Sequence, residues 1–279
     1  AAAALAGLAP PVPSLLLVSG YLLYLSIWAV AALLVSLLAR RARDALLVLV
    51  AAWMGVVILA PRLLPELALA RLPTPTRIET DVTIHQELKR LGDSHDPDDP
   101  HFAEFKAKTL ARYGVEKVED LPVQWAGLVG MEGERLTSGL FDRHARDTFA
   151  REAAQNRLVR RFGVLSPLIA VRQLSMSLAA TGTESHQDFL EQVERHRYQF
   201  VQALNLLQVT EIPNQHAGED PRLSADHWKH LPGFTYRAPD VLWLAGDRIQ
   251  DNLWILTGWL AVLLAGCALA ARRLGEVSR

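Results

Sequence analysis

The chain has 279 residues, half of them hydrophobic, with 29 basic and 30 acidic side chains and a formal net charge of −1. This balance excludes a disordered chain and gives no sign of a nucleic-acid binder, which would be charge-rich or strongly basic. The charges are unevenly placed, because no Asp, Glu, Lys or Arg occurs in residues 1–39, 45–61 or 252–271. Three such gaps predict an integral membrane protein.

A helix rises about 1.5 Å per residue, so about 20 apolar residues cross a hydrocarbon core of about 30 Å. Residues 15–38 and 252–271 meet this length, and residues 45–64 meet it if Arg62 extends to the headgroups. The chain does not start with Met, and no basic segment precedes its first apolar run, so no signal peptide is read there. Residues 1–14 are expected to be the tail of a preceding membrane segment or an outer loop, the chain being the C-terminal part of a longer protein.

Residues 15–64 then form two transmembrane helices joined by RRARD, in which Arg40, Arg41 and Arg43 outnumber Asp44. After the third apolar run comes RRLGEVSR, again with more basic than acidic residues. Basic residues next to membrane helices favour the cytoplasm, which places both segments inside and is consistent with two crossings between them. Residues 65–246, with 21 basic and 26 acidic side chains, are then one extracytoplasmic domain. Residues 247–279 are the last helix and a cytoplasmic tail, so the protein is expected in the inner, or plasma, membrane.

The outer domain opens on LPTPTR, where Pro73 and Pro75 hold the chain extended. Helices are predicted over 78–91 on an Ile78, Val82, Leu88, Leu91 stripe, over 101–113 with Gly114 as the stop, and over 136–162. Ser166 and Pro167 predict the cap and first residue of a helix ending at Gly182, and Ser185 the cap of another running to about Leu207. Residues 213–239 read as a returning loop whose Trp228, Phe234 and Tyr236, with Trp243 just beyond it, would lie among lipid headgroups. The fold class is therefore an all-α membrane protein, with a helical domain inserted between the second and third transmembrane helices.

Catalytic and metal-binding patterns are weak. His227 and His230 stand three apart beside Asp226, but the third zinc ligand would have to come from a distant loop. Asp93, Asp96, Asp98 and Asp99 cluster, yet with Asp93 first the calcium-loop glycine is replaced by Asp98 and the fifth position by Pro97. Glu132 and Glu134 show no catalytic partner, and His196 lies within an apolar stripe as a core histidine does. Cys267 is the sole cysteine, and no Gly is followed by Lys, so neither an internal disulfide nor a Walker phosphate loop exists. Ser19, Ser26, Thr257, Gly258 and Gly266 read as helix-packing positions.

Against this background four stretches carry a resemblance: the aromatic run Tyr24 to Trp28, the exit APRLLPELALARLPTPTR, the segment LSPLIAVRQLSMSLAATGTESHQDFLEQVERHR, and the short basic tail. Together they resemble ABC-2-type permeases, in the subfamily with a large outer domain of unknown function between the last two membrane helices. The resemblance implies six membrane helices in the full protein and a transport subunit, not an enzyme. It implies no cofactor in this chain, with ATP on a separate ABC ATPase subunit. A second permease copy or paralogue, an envelope protein at the outer domain and the bilayer would be the other partners, with no nucleic acid. Arg40, Arg41, Arg43 and Asp44 are then the candidate contact with the ATPase, or else a topology anchor. A link to maturation of copper enzymes comes with the same subfamily, though Met131, Met176 and Cys267 are scattered and form no copper motif. The rival reading is a membrane-anchored scaffold or ligand-binding protein without transport activity.

Overall fold

A computed structural model describes residues 10–93, 96, 99–214 and 222–277; residues 1–9, Asp98 and Arg279 lie outside that description. The protein is 83% helix, with no strand among the described residues. Among the described residues eight long helices follow in order: α1 (Pro11–Leu38), α2 (Ala42–Arg71), α3 (Arg77–Leu91), α4 (Pro100–Tyr113), α5 (Trp125–Phe162), α6 (Pro167–Leu178), α7 (Thr183–Glu211) and α8 (Val241–Val277). Three of them, α1, α2 and α8 over Val241–Leu274, are long and apolar enough to cross a membrane. Two compact units divide the chain.

One unit comprises residues up to Pro73, Arg151–Gln187 and residues from Ala238 on. Its core is built by Ile27 of α1, Ala170, Val171, Leu174 and Leu178 of α6, and Ala245, Ile249 and Leu256 of α8. Thus α6, which the sequence reading counted with the inserted domain, packs among the apolar helices. Gly20 permits a close approach: a methyl group there would collide with Leu174 Cδ2.

α2 is continuous but changes register. Met54–Leu59 is a π-helical turn, closed by the Ala60 N–H donating to the Gly55 carbonyl. The cause lies just beyond, at Pro61, which has no N–H to continue either ladder. In the π register the next donor, to Val56, would be residue 61, so the Val56 carbonyl loses its helical partner. Ser166 supplies one, its Oγ donating to Val56 O at 2.8 Å. The predicted cap at Ser166 is corrected in this detail. Ser166 stands at the N-cap position, but its side chain accepts no capping bond from α6; its hydroxyl donates to the Val56 carbonyl. Similarly, α6 ends at Leu178 instead of Gly182, with Ala180 left-handed at φ 53°, and α7 begins at Thr183 so that Ser185 lies inside it.

The other unit comprises Thr74–Ala150 and Asp188–Arg237. α3 starts with a reciprocal capping box between Thr76 and Glu79, and α4 with Asp99 accepting from the His101 and Phe102 N–H groups. Ile78 and Val82 of the predicted α3 stripe are exposed. α5 begins eleven residues before the predicted position 136. Glycines in this added stretch allow contact with α7: a Cβ at Gly127 would lie 2.9 Å from the Val209 nitrogen and 3.0 Å from the Asn205 carbonyl oxygen. Close packing has overridden low helix propensity.

Candidate functional site

The geometry of the apolar unit fixes where its basic segments lie. Gly20 of α1 meets Leu174 of α6, whose neighbours Gln173 and Met176 line clefts with Asn252 of α8. Fourteen residues later in both helices, Leu34 meets Gly266. α1 and α8 therefore run parallel, with Gly20 level with Asn252 and Arg40 level with Arg272. α2 runs back the other way: Val56 is bonded to Ser166, and Val164, two residues earlier, accepts a 2.7 Å bond from Trp259 Nε1. Fourteen residues separate Ala42 from Val56 and Trp259 from Arg273. By this register the α1–α2 connection and the basic end of α8 occupy the same end of the unit.

At that end Arg40, Arg41 and Arg43 are all exposed. Arg41, extended at φ −134°, precedes the first turn of α2, and Asp44 sits within that turn, where a negative charge suits the helix dipole. The only ion pair these residues make among the described residues is Arg43–Asp44, at 3.8 Å and exposed, a geometry that contributes little. Arg272 and Arg273 are exposed as well. The four predicted site residues are thus brought together, and Arg40 and Arg41 have their donors open to a partner.

The other candidate groups are occupied by structural tasks. Asp99 also accepts from the Asp93 N–H, and these backbone bonds hold its carboxyl below the usual aspartate range. Asp226 accepts from Lys229 at 2.6 Å. Glu132 accepts two bonds from Arg135 and faces His101 Nε2 at 2.9 Å. Arg197 ties α7 to α5, donating to Glu134 and to Glu194 of its own helix, while Ser138 donates to Glu194. The arginine bonds hold Glu132 and Glu194 below the usual carboxylate range and Arg197 above the usual arginine range. His196 lies against Phe200 and Phe234, and Phe189 against Phe234 and Tyr236. Phe234 and Tyr236, expected among headgroups, thus form an aromatic cluster with α7, whereas Trp243 is exposed on α8. Among the described residues no group of three or more His, Cys, Asp or Glu gathers in a metal-holding arrangement.

The family signature described as a domain of unknown function (DUF3526) matches residues 77–237, more than half of the chain. The chain belongs to the DUF3526 family. The matched DUF3526 region runs from the start of α3 to the loop before α8, so membrane-length helices flank it on both sides. No curated protein and no solved structure matches the chain.

Sequence reasoning missed the Ser166–Val56 and Trp259–Val164 bonds. A signal for the first was present, since Pro61 in an apolar helix frees a carbonyl that lipid cannot satisfy. No comparable signal marked the second.

Proposed function

We propose that this DUF3526 protein is a permease subunit of an ATP-driven exporter of the ABC-2 type, with ATP bound and hydrolysed on a separate polypeptide. The observation that carries the reading is the coincidence of two basic segments at one end of α1, α2 and α8, with Arg40 and Arg41 exposed and unpaired among the described residues. Positive charge at one end of a membrane helix set marks the cytoplasmic side, where an ATPase subunit docks. Arg40, Arg41 and Arg43 form that contact in this reading, and Asp44 orients the first turn of α2. The DUF3526 region apart from α6, which packs among the membrane-length helices, then lies on the opposite side of the membrane. Docking and release of the ATPase would move α1 and α8 together, because Leu34 packs on Gly266 and α6 packs against both helices.

The test is gentle extraction of the full-length protein from its native membrane, followed by mass spectrometry of what co-purifies. A stoichiometric ABC ATPase, lost when Arg40, Arg41 and Arg43 are replaced by Ala in protein that stays helical, is the expected result. A folded protein that brings no ATPase would refute the permease reading and favour a membrane-anchored scaffold.

A further inference from the structure

A second basic cluster lies in the apolar unit at the level of the start of the charge-free run of α8. Arg157, Arg160 and Arg161 at the end of α5 meet Arg248, Asp251 and Trp254 of α8 around a cleft of about 440 Å³. Arg248 is held by Glu184 at 2.6 Å, and Arg160 approaches the same carboxylate at 4.0 Å. Arg157 and Arg161 are exposed and make no ion pair among the described residues. Four guanidinium groups therefore face two carboxylates, Glu184 and Asp251, and the cleft keeps an excess of positive charge. Burial, and next the charge of Arg248, pulls Arg160 below the ordinary arginine range. An anion in the cleft would offset the repulsion between Arg160 and Arg248.

The depth of the cleft selects the anion. Arg248 precedes Arg272 by 24 residues of continuous helix, a rise of about 36 Å. A hydrocarbon core is about 30 Å thick and its headgroup layers bring the total to about 40–45 Å. With Arg272 in one headgroup layer, Arg248 falls in the other. The neighbouring turn confirms the boundary chemically: Phe162, Val164 and Leu165 are exposed apolar side chains, and Val164 is bonded to Trp259, about 16 Å further along α8 towards Arg272. Trp254 is 74% exposed beside the cleft, where an interfacial tryptophan belongs. Apolar side chains thus lie on the hydrocarbon side of the arginines, and an aromatic ring beside them.

We propose that this cleft binds the phosphodiester headgroup of an anionic phospholipid, in the leaflet opposite the Arg40–Arg41 loop. Planar guanidinium forks match phosphate oxygens in pairs, while the acyl chains would run down beside Phe162, Val164 and Leu165. The inference requires only that the three helices span a bilayer, and it stands whether or not the protein is a permease.

The test uses the purified, delipidated full chain in neutral detergent, titrated with phosphatidylglycerol and separately with phosphatidylcholine, with bound lipid read by native mass spectrometry. Phosphatidylglycerol is expected to bind in preference to phosphatidylcholine. Replacing Arg157 and Arg161 together by Gln should weaken it by about 25-fold, since each cation at an anionic headgroup contributes about fivefold. Both side chains are exposed, so the variant is expected to stay folded, and circular dichroism checks this. Arg157→Lys with Arg161→Lys should bind between the wild type and the Gln variant, since charge is kept and the paired fork is lost, and Arg172→Gln, an exposed change on α6, should leave affinity intact. Wild-type affinity in the folded Gln variant would overturn the proposal. Equal loss in Arg172→Gln would do the same by reducing the effect to overall charge. Displacement of phosphatidylglycerol by millimolar inorganic phosphate would overturn it in favour of a site for soluble anions.

Discussion

Replacing Ser166 by Ala removes the hydroxyl that donates to the Val56 carbonyl; Ser166 itself has no solvent exposure. The α6 cap is not disturbed, because the Ser166 side chain takes no part in it. An unsatisfied carbonyl costs up to about 1–3 kcal/mol when buried, and Val56 is half-buried among apolar helices. The same cost should nearly vanish in a Pro61→Ala background, where residue 61 regains an N–H and the helix can satisfy Val56 itself. Four proteins, the wild type, both single variants and the double variant, form a thermodynamic cycle that isolates this coupling. Unfolding in mixed micelles, followed by tryptophan fluorescence against added sodium dodecyl sulfate, reads it. Expected is a loss of about 1–3 kcal/mol for Ser166→Ala alone and less than about 0.5 kcal/mol beside Pro61→Ala. An equal loss in both backgrounds would sink the argument that proline creates the vacancy Ser166 fills.

Three further outcomes follow from the geometry. Gly127→Ala should destabilise the α5–α7 contact by about 1–3 kcal/mol, because the new methyl meets backbone atoms that cannot swing aside. Gly133→Ala in the same helix has open space and should be neutral or stabilising by up to about 1 kcal/mol; thermal melts of the two variants distinguish them. Glu132 and Glu194 have carboxyl groups held below their unfolded values, chiefly by Arg135 and Arg197, so their stabilisation is complete above the unfolded carboxylate range near pH 4.3 and is lost as pH falls through the lower folded values. Melting temperature should therefore hold from pH 7 to about 5 and decline below about 4.5, less steeply in Arg197→Met; an unchanged slope in that variant would exclude the Arg197 network as the cause. Trp259→Phe deletes the bond to Val164 O and should cost about 1–2 kcal/mol in the micelle titration, with no loss if the Val164 carbonyl finds water instead.

The membrane helices were legible because absence of charge over 20 residues is a one-dimensional signal that needs no tertiary knowledge. The basic loop was legible for the same reason, while its alignment with Arg272 required contacts between α1, α6 and α8. Local chemistry read well where it acts locally: Gly114 ends α4 in the left-handed conformation, and Pro167 opens α6. It failed where a distant partner competes. Ser166 looked like a side-chain cap but donates to Val56, 110 residues away, and a helix predicted from 136 begins at Trp125, where Gly127 and Gly130 admit Val209 and Asn205. The α3 stripe failed differently, since helical spacing of Ile78 and Val82 predicts a face without saying what covers it.

The separation of Ser166 from Val56 also has a temporal meaning. Ribosomes add about 5–20 residues per second, so 110 residues of sequence represent about 5–20 s of synthesis. If α2 enters the bilayer as it is made, its proline-freed carbonyl waits that long for a donor. Only when Ser166 has been made and α6 has packed can that carbonyl find the hydroxyl it holds in the finished fold, so the last bond of α2 is made long after its own synthesis.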